Sequence, residues 1–141
     1  MKAAGLLLLG GFITIGYWAS QAQALPPFKN AFQKKYVDDS TDAAFKAAFK
    51  SEGCSVCHVK GDTNKAHRND YGKALAKFTG GTVNKDLKAA KASGGDAAAK
   101  DVLDKALKAL DDGFDKVADQ KSASGMTYGD LIKAGKLPAS K

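Results

Sequence analysis

A short run of residues with two thiols and one imidazole is the part of this sequence best equipped for chemistry. Cys54, Cys57 and His58 form the pattern C-x-x-C-H, which holds both cysteines and one of the two histidines of the chain. Groups of this kind serve in thiol–disulfide exchange, in structural disulfides, in zinc sites and in the attachment of a c-type haem. The spacing of the three residues and the rest of the chain decide among these uses.

The spacing favours haem attachment, for which C-x-x-C-H is the characteristic sequence. Each sulfur adds to one vinyl group of the porphyrin, and two intervening residues allow one turn of chain to reach both vinyls. The histidine that follows is then held where its imidazole can bind the iron. We therefore predict one covalently attached haem c, tethered by Cys54 and Cys57, with His58 as the proximal iron ligand.

The three other uses find less support in the sequence. A redox pair of the thioredoxin type would lie beside a βαβ pattern, and no strand pattern is evident. Zinc would need two further ligands, yet only His67 lies outside the motif, and adjacent Cys57 and His58 would strain to bind the same ion. A structural disulfide would leave His58 without a role.

The first 24 residues read as an export signal. Lys2 is followed by an uncharged stretch containing four consecutive leucines, and Ala22 and Ala24 supply the small residues of an A-x-A cleavage site. We predict a signal peptide over 1–24 and one mature domain over 25–141, in the periplasm or another exported location. The alternative is an uncleaved membrane anchor, in which Tyr17 and Trp18 would suit the interface.

Hydrophobic periodicity predicts an all-α domain of four to six helices that positions the motif. The stripe of Phe28, Phe32 and Tyr36 marks a first helix, and a second should end at Gly53 in the left-handed conformation. A third, carrying Tyr71, Leu75 and Phe78, should be capped by Asn69 or Asp70 and closed by Gly80–Gly81. A short helix over 87–92, a long one from Asp96 with Leu110 and Phe114 on its apolar face, and a last one behind a Thr127–Asp130 capping box complete the prediction.

Composition limits the classes of protein that this chain can represent. Its 141 residues suit one domain, which excludes enzymes with two-domain active sites. Many apolar positions are alanine, so the core is thin in large side chains, and an apolar cofactor would supply the missing interior. We expect Tyr71 and Leu75 to pack against that cofactor.

The net charge of +7 suggests how a partner could bind. Basic residues cluster after the motif and at the C-terminus, and they would steer an acidic redox partner, although solvated helix faces would also explain them. Acidic side chains on the long helix would polarise the molecule. A nucleic-acid role is not expected, since aromatic residues do not interleave with the basic ones. The residues concerned are Lys60, Lys65, Arg68, Lys73, Lys77, Lys133, Lys136 and Lys141, opposed by Asp111, Asp112, Asp115 and Asp119.

With its leader, helical pattern and haem motif, the chain resembles the small single-haem cytochromes c of the bacterial periplasm. Residues 68–75 and 127–138 resemble segments found in proteins of this kind, whereas 79–125 departs from the general cytochrome c pattern. The resemblance implies a helical domain wrapped around one haem and one-electron transfer between partner proteins. It does not imply an acid, base or nucleophile, so we do not expect an enzyme.

The sixth iron ligand is the least determined part of the predicted site. Electron-transfer haems usually take Met or His there, and the mature chain offers only His67 and Met126. His67 is favoured because the nine residues from His58 span roughly 30 Å, enough to wrap the haem edge. The sequence around Met126 does not contain the Pro-containing ligand loop that is usual in the family. An open position would instead indicate a haem enzyme or a small-ligand sensor.

Overall fold

The computed structural model describes residues 25–138, which form helices and connecting turns with no strand among them. The predicted signal peptide lies outside the described residues. The elements are α1 (Pro26–Phe32), which continues into a π-helical turn (Gln33–Val37), α2 (Ala43–Glu52), a 3₁₀ turn (Gly53–Val56), α3 (Asp70–Thr79), α4 (Val83–Ala118) and α5 (Tyr128–Lys133). The all-α class predicted from the periodicity is therefore confirmed.

The first helix begins at a proline and ends in a wider turn. Pro26 occupies the first helical position, where its fixed φ and missing N–H cost nothing. The backbone N–H of Asp38 donates to the carbonyl of Gln33 at 3.0 Å, which closes the π-helical turn. This extra residue rotates the helix end, so that Val37 is buried together with Phe32 while Tyr36 is half-buried.

The second helix ends differently from the prediction. It starts at an Asp42 cap whose carboxylate accepts from the N–H groups of Ala44 and Phe45 at 2.8 and 3.0 Å. Gly53, however, has φ of −56° and is right-handed, so the predicted left-handed end is wrong. The chain instead tightens into the 3₁₀ turn that carries Cys54. A Cβ at this position would lie 2.6 Å from Cε of Lys29, the end of a flexible side chain that can move aside, and 3.3 Å from the Phe49 ring.

The later helices follow their predicted start and stop signals. Asn69 caps α3, Gly80 closes it with φ of 76°, and the Thr127 hydroxyl accepts from the Asp130 N–H at 3.0 Å at the start of α5. The two helices predicted on either side of Gly94–Gly95 together make up α4, and the backbone leaves helical geometry between them at Gly95, where φ is 69° and ψ is −159°. The first of them begins at Val83, four residues earlier than predicted.

The core is built largely from aromatic rings, as the alanine-rich composition requires. Phe32 lies at its centre, with ring centroids of Tyr36, Phe49, Tyr71 and Phe114 between 5.0 and 6.3 Å away. These rings join α1, α2, α3 and the second half of α4. Among residues 25–138, none of the helices has the length and apolar character needed to cross a membrane.

Candidate functional site

The two thiols and the imidazole of the C-x-x-C-H motif line a single cleft. Its walls come from α1, the 3₁₀ turn, α3 and α4, and it holds about 890 Å³ of space outside protein atoms, solvent at the mouth included. The walls are mainly apolar and include Phe28, Phe32, Val56, Leu75, Val83, Leu110 and Phe114. Cys54, Cys57 and His58 therefore border a common apolar space.

Asn69 holds the motif in shape from behind. Only 3% of this residue is exposed. Its amide nitrogen donates to the carbonyls of Ser55 at 2.8 Å, Val56 at 3.0 Å and His58 at 3.3 Å. Its side-chain oxygen accepts from the Gly72 N–H at 2.9 Å, and its own N–H donates to the Cys57 carbonyl. One side chain thus caps α3 and satisfies three carbonyls of the motif turn.

A glycine allows α3 to approach the motif closely. Gly72 is buried in the first turn of α3, and a Cβ placed there would collide with the backbone carbonyl of Cys57. The helix and the motif are therefore in backbone contact, which only glycine permits. This contact and the Asn69 hydrogen bonds fix the position of Cys57 relative to α3.

The imidazole of His58 is available as a ligand. Burial lowers its pKa below the usual value, a hydrogen bond with the His67 backbone opposes this shift, and the positive charges of Arg68 and Lys65 add to the lowering, so the neutral ring is favoured at pH 7. Its Nδ1 atom is buried and has no hydrogen-bond partner among the described residues. A buried polar atom without a partner is costly, and a bound group would remove this cost only by contacting Nδ1 itself.

The two thiols lie in different surroundings. Burial raises the pKa of the Cys57 thiol to about 12, so this thiol is protonated at neutral pH. Cys54 is exposed, and neither cysteine is in a disulfide. Within 25–138 no group of three or more His, Cys, Asp or Glu side chains is placed to hold a metal ion, so a zinc site is not supported.

The residues predicted to pack on a cofactor separate into two groups. Leu75 lines the cleft. Tyr71 is fully buried but lies behind the cleft wall, with its ring 4.9 Å from that of Tyr128 and edge-on to Phe32. Phe78 also lies outside the lining and packs near Gly113. In their place α3 contributes Ala76 and Thr79.

His67 lies apart from the cleft in the structure. Its side chain is 59% exposed and borders a second, shallow depression with Val59, Asp62 and Lys73. Its Nδ1 is 2.6 Å from a carboxylate oxygen of Asp62, and its Nε2 is 3.3 Å from the amide nitrogen of Asn64. The hydrogen bond from His67 lowers the pKa of Asp62.

Met126 lies in the turn between α4 and α5 and does not line the cleft either. It is 37% exposed, and its carbonyl accepts from both the N–H and the hydroxyl of Ser122, at 2.8 and 2.9 Å. The structure thus brings Cys54, Cys57, His58 and Leu75 together, and it places both sixth-ligand candidates elsewhere.

Several residues of the site were not predicted from the sequence in these roles. Asn69 was expected only as a helix cap, and Gly72 was not singled out. Phe32, Leu110 and Phe114 were assigned to apolar helix faces, but the pattern does not tell which faces meet around one cleft. One signal in the sequence could have indicated the contact between α3 and the motif. An N-cap asparagine, Asn69, lies shortly after the motif and is followed three residues later by Gly72.

Comparison of the chain with protein-family models, with curated proteins and with solved structures gave no match.

Proposed function

We propose that this chain is an exported carrier of single electrons on one covalently attached haem c. The observation that supports the proposal is the meeting of both cysteines and His58 in one apolar cleft, with a neutral imidazole whose Nδ1 has no partner in the described chain. A redox pair of the thioredoxin type would lie beside a βαβ pattern, and no strand lies among residues 25–138. The absence of further ligands within 25–138 argues against zinc.

Each part of the site has a role in this function. Cys54 and Cys57 would tether the porphyrin, and His58 would bind its iron, which supplies reversible one-electron chemistry when the haem is bound. Phe32, Leu75 and Phe114 exclude water from one side of the cleft. Asn69 and Gly72 hold the motif rigidly. Electron transfer needs ligation, burial and an accessible edge, and it requires no acid, base or nucleophile.

The covalent attachment is tested directly by mass. We expect the protein, exported from a host with haem-maturation machinery, to be red and to carry one haem that survives denaturation. The Cys54→Ser, Cys57→Ser double variant should be colourless, while the neighbouring Ser55→Ala variant should keep the haem. N-terminal sequencing of the same material tests cleavage after Ala24. A colourless protein with the mass of the polypeptide alone would overturn the proposed function.

The basic residues after the motif support an acidic redox partner. Lys65 and Arg68 line the cleft, and Lys77 is exposed on α3. Two other members of the predicted cluster are neutralised, since Lys60 pairs with Glu52 at 2.6 Å and Lys73 with Asp70 at 3.2 Å. On α4, Asp111 and Asp115 are both 2.9 Å from Lys35. The proposed docking face is therefore the cleft rim with Lys77.

An electrode provides a defined acidic partner for this face. We expect the haem protein to adsorb and exchange electrons on a carboxylate-terminated monolayer at low ionic strength and to desorb in high salt. Lys77→Glu should weaken adsorption more than Lys108→Glu, which changes an exposed lysine on α4. Equal effects of the two substitutions would show that net charge, not this face, controls the interaction.

A further inference from the structure

Backbone pairing after the motif places His58 and His67 on opposite faces of one loop. His58 pairs with Arg68 in an antiparallel bridge, and the Val59 N–H donates to the His67 carbonyl at 3.2 Å. Successive residues in such a pair project to opposite sides. His58 therefore shares a face with Arg68, and both line the cleft, although the long Arg68 side chain also borders the shallow depression. His67 shares the other face with Val59, and both border the shallow depression.

The loop also occupies the ring nitrogens of His67. The Asp62 carboxylate contacts Nδ1, and Asn64 contacts Nε2, as described above. Moving this imidazole into the cleft would break both contacts and shift the pairing with Val59 by one residue. The segment between His58 and His67 is long enough to bring His67 to the cleft, but the register of the backbone pairing directs the His67 side chain away from it.

The described residues that line the cleft include neither His67 nor Met126, and none of them is acidic. Three are cations: Lys29, Lys65 and Arg68. Lys29 lies over the ring of Phe49, 5.4 Å from its centroid, and the Lys65 ammonium donates to the Asp62 carbonyl at 2.7 Å. Arg68 extends towards the start of α4, with a guanidinium nitrogen 3.9 Å from the position of a Cβ on Gly81. The cleft thus offers positive charge without a second imidazole or thioether.

We propose that His58 is the sole protein ligand of the iron and that a coordination position left open by the protein binds a small anion, attracted by Arg68 and Lys65. This inference rests on the proposed attachment of haem c, and it adds to electron transfer the small-ligand binding that an open iron position indicates. Anions are favoured over neutral ligands because the lining residues bring positive charge and no carboxylate that would repel the ligand.

Azide, an anionic ligand of ferric haem, is the probe for the test, with carbon monoxide on the ferrous protein as its neutral counterpart. We expect azide to change the visible and electron paramagnetic resonance spectra of the ferric holoprotein without denaturant. Arg68→Gln should weaken azide binding about threefold and leave carbon monoxide binding unchanged, while Arg68→Lys should retain azide binding. Lys133→Gln, a change on α5 away from the cleft lining, should alter neither.

Four outcomes would overturn the inference. They are a ferric spectrum altered by His67→Ala or Met126→Leu, one altered by Lys29→Ala, the absence of azide binding, and equal azide affinity in Arg68→Gln and the parent protein. Each of these is measured on protein that carries covalent haem. A chain that never acquires haem would instead contradict the proposed function, so the two failures are distinct.

Discussion

Replacing Asn69 with aspartate is expected to lower the free energy of unfolding of the haem protein by about 3 kcal/mol. The new carboxylate keeps the oxygen that accepts from the Gly72 N–H, so the helix cap survives. It loses the amide that donates to the carbonyls of Ser55, Val56 and His58, and it faces their oxygens with a negative charge instead. Because the position is buried, water cannot replace the lost donor.

Urea unfolding followed by circular dichroism measures this loss, and the yield of haem per polypeptide reports its effect on the motif. Asn30→Asp is the matched control, since Asn30 is exposed on α1 and its side chain makes no hydrogen bond within the described structure. The control should stay within about 0.5 kcal/mol of the parent. If both variants unfold at the parent urea concentration, Asn69 does not support the motif.

The helices could be predicted well because their ends are determined by local chemistry. The asparagine and threonine caps and the glycine at the end of α3 act within four residues of the helix terminus. Gly53 could not be assigned correctly, because the chain continues from α2 directly into the 3₁₀ turn at this residue instead of leaving the helix in the left-handed conformation. A glycine after a helix is compatible with a left-handed cap and with a close contact alike.

In the candidate site, too, the features set by local sequence could be predicted and those set by contacts between segments could not. The grouping of Cys54, Cys57 and His58 could be predicted because one pentapeptide contains all three. The prediction of His67 as sixth ligand depended on the length of the segment between His58 and His67. That length does not determine the direction in which the His67 side chain projects. The pairing of Val59 with His67 sets that direction, and a shift of one residue would reverse it.

The walls of the cleft depend on contacts between distant segments. Phe32 and Phe114 lie 82 positions apart in the chain, yet their ring centroids are 5.9 Å apart. Periodicity assigned each to an apolar helix face but could not match the faces. The thin, alanine-rich core did indicate space for an apolar group, and an apolar cleft bordered by the thiols is what the structure contains.

Backbone contact between α3 and the motif gives Gly72 an importance that its neighbours in α3 do not share. A methyl group at this position would overlap the Cys57 carbonyl, and backbone on both sides leaves no flexible side chain to move away. Relief would require α3 to separate from the motif, which would also lengthen the Asn69 hydrogen bonds. Overpacking of this kind costs about 3 kcal/mol, near the upper end of its usual range.

Gly72→Ala is therefore expected to unfold at markedly lower urea concentration and to accumulate with little haem, even though alanine favours helix more than glycine does. Lys77→Ala, on the exposed side of the same helix, is the control and should match the parent in stability and haem content. Helix propensity alone predicts the opposite order, with Gly72→Ala more stable than the parent by up to about 1 kcal/mol. A stabilised Gly72→Ala protein with full haem content would show that α3 does not contact the motif at Cys57.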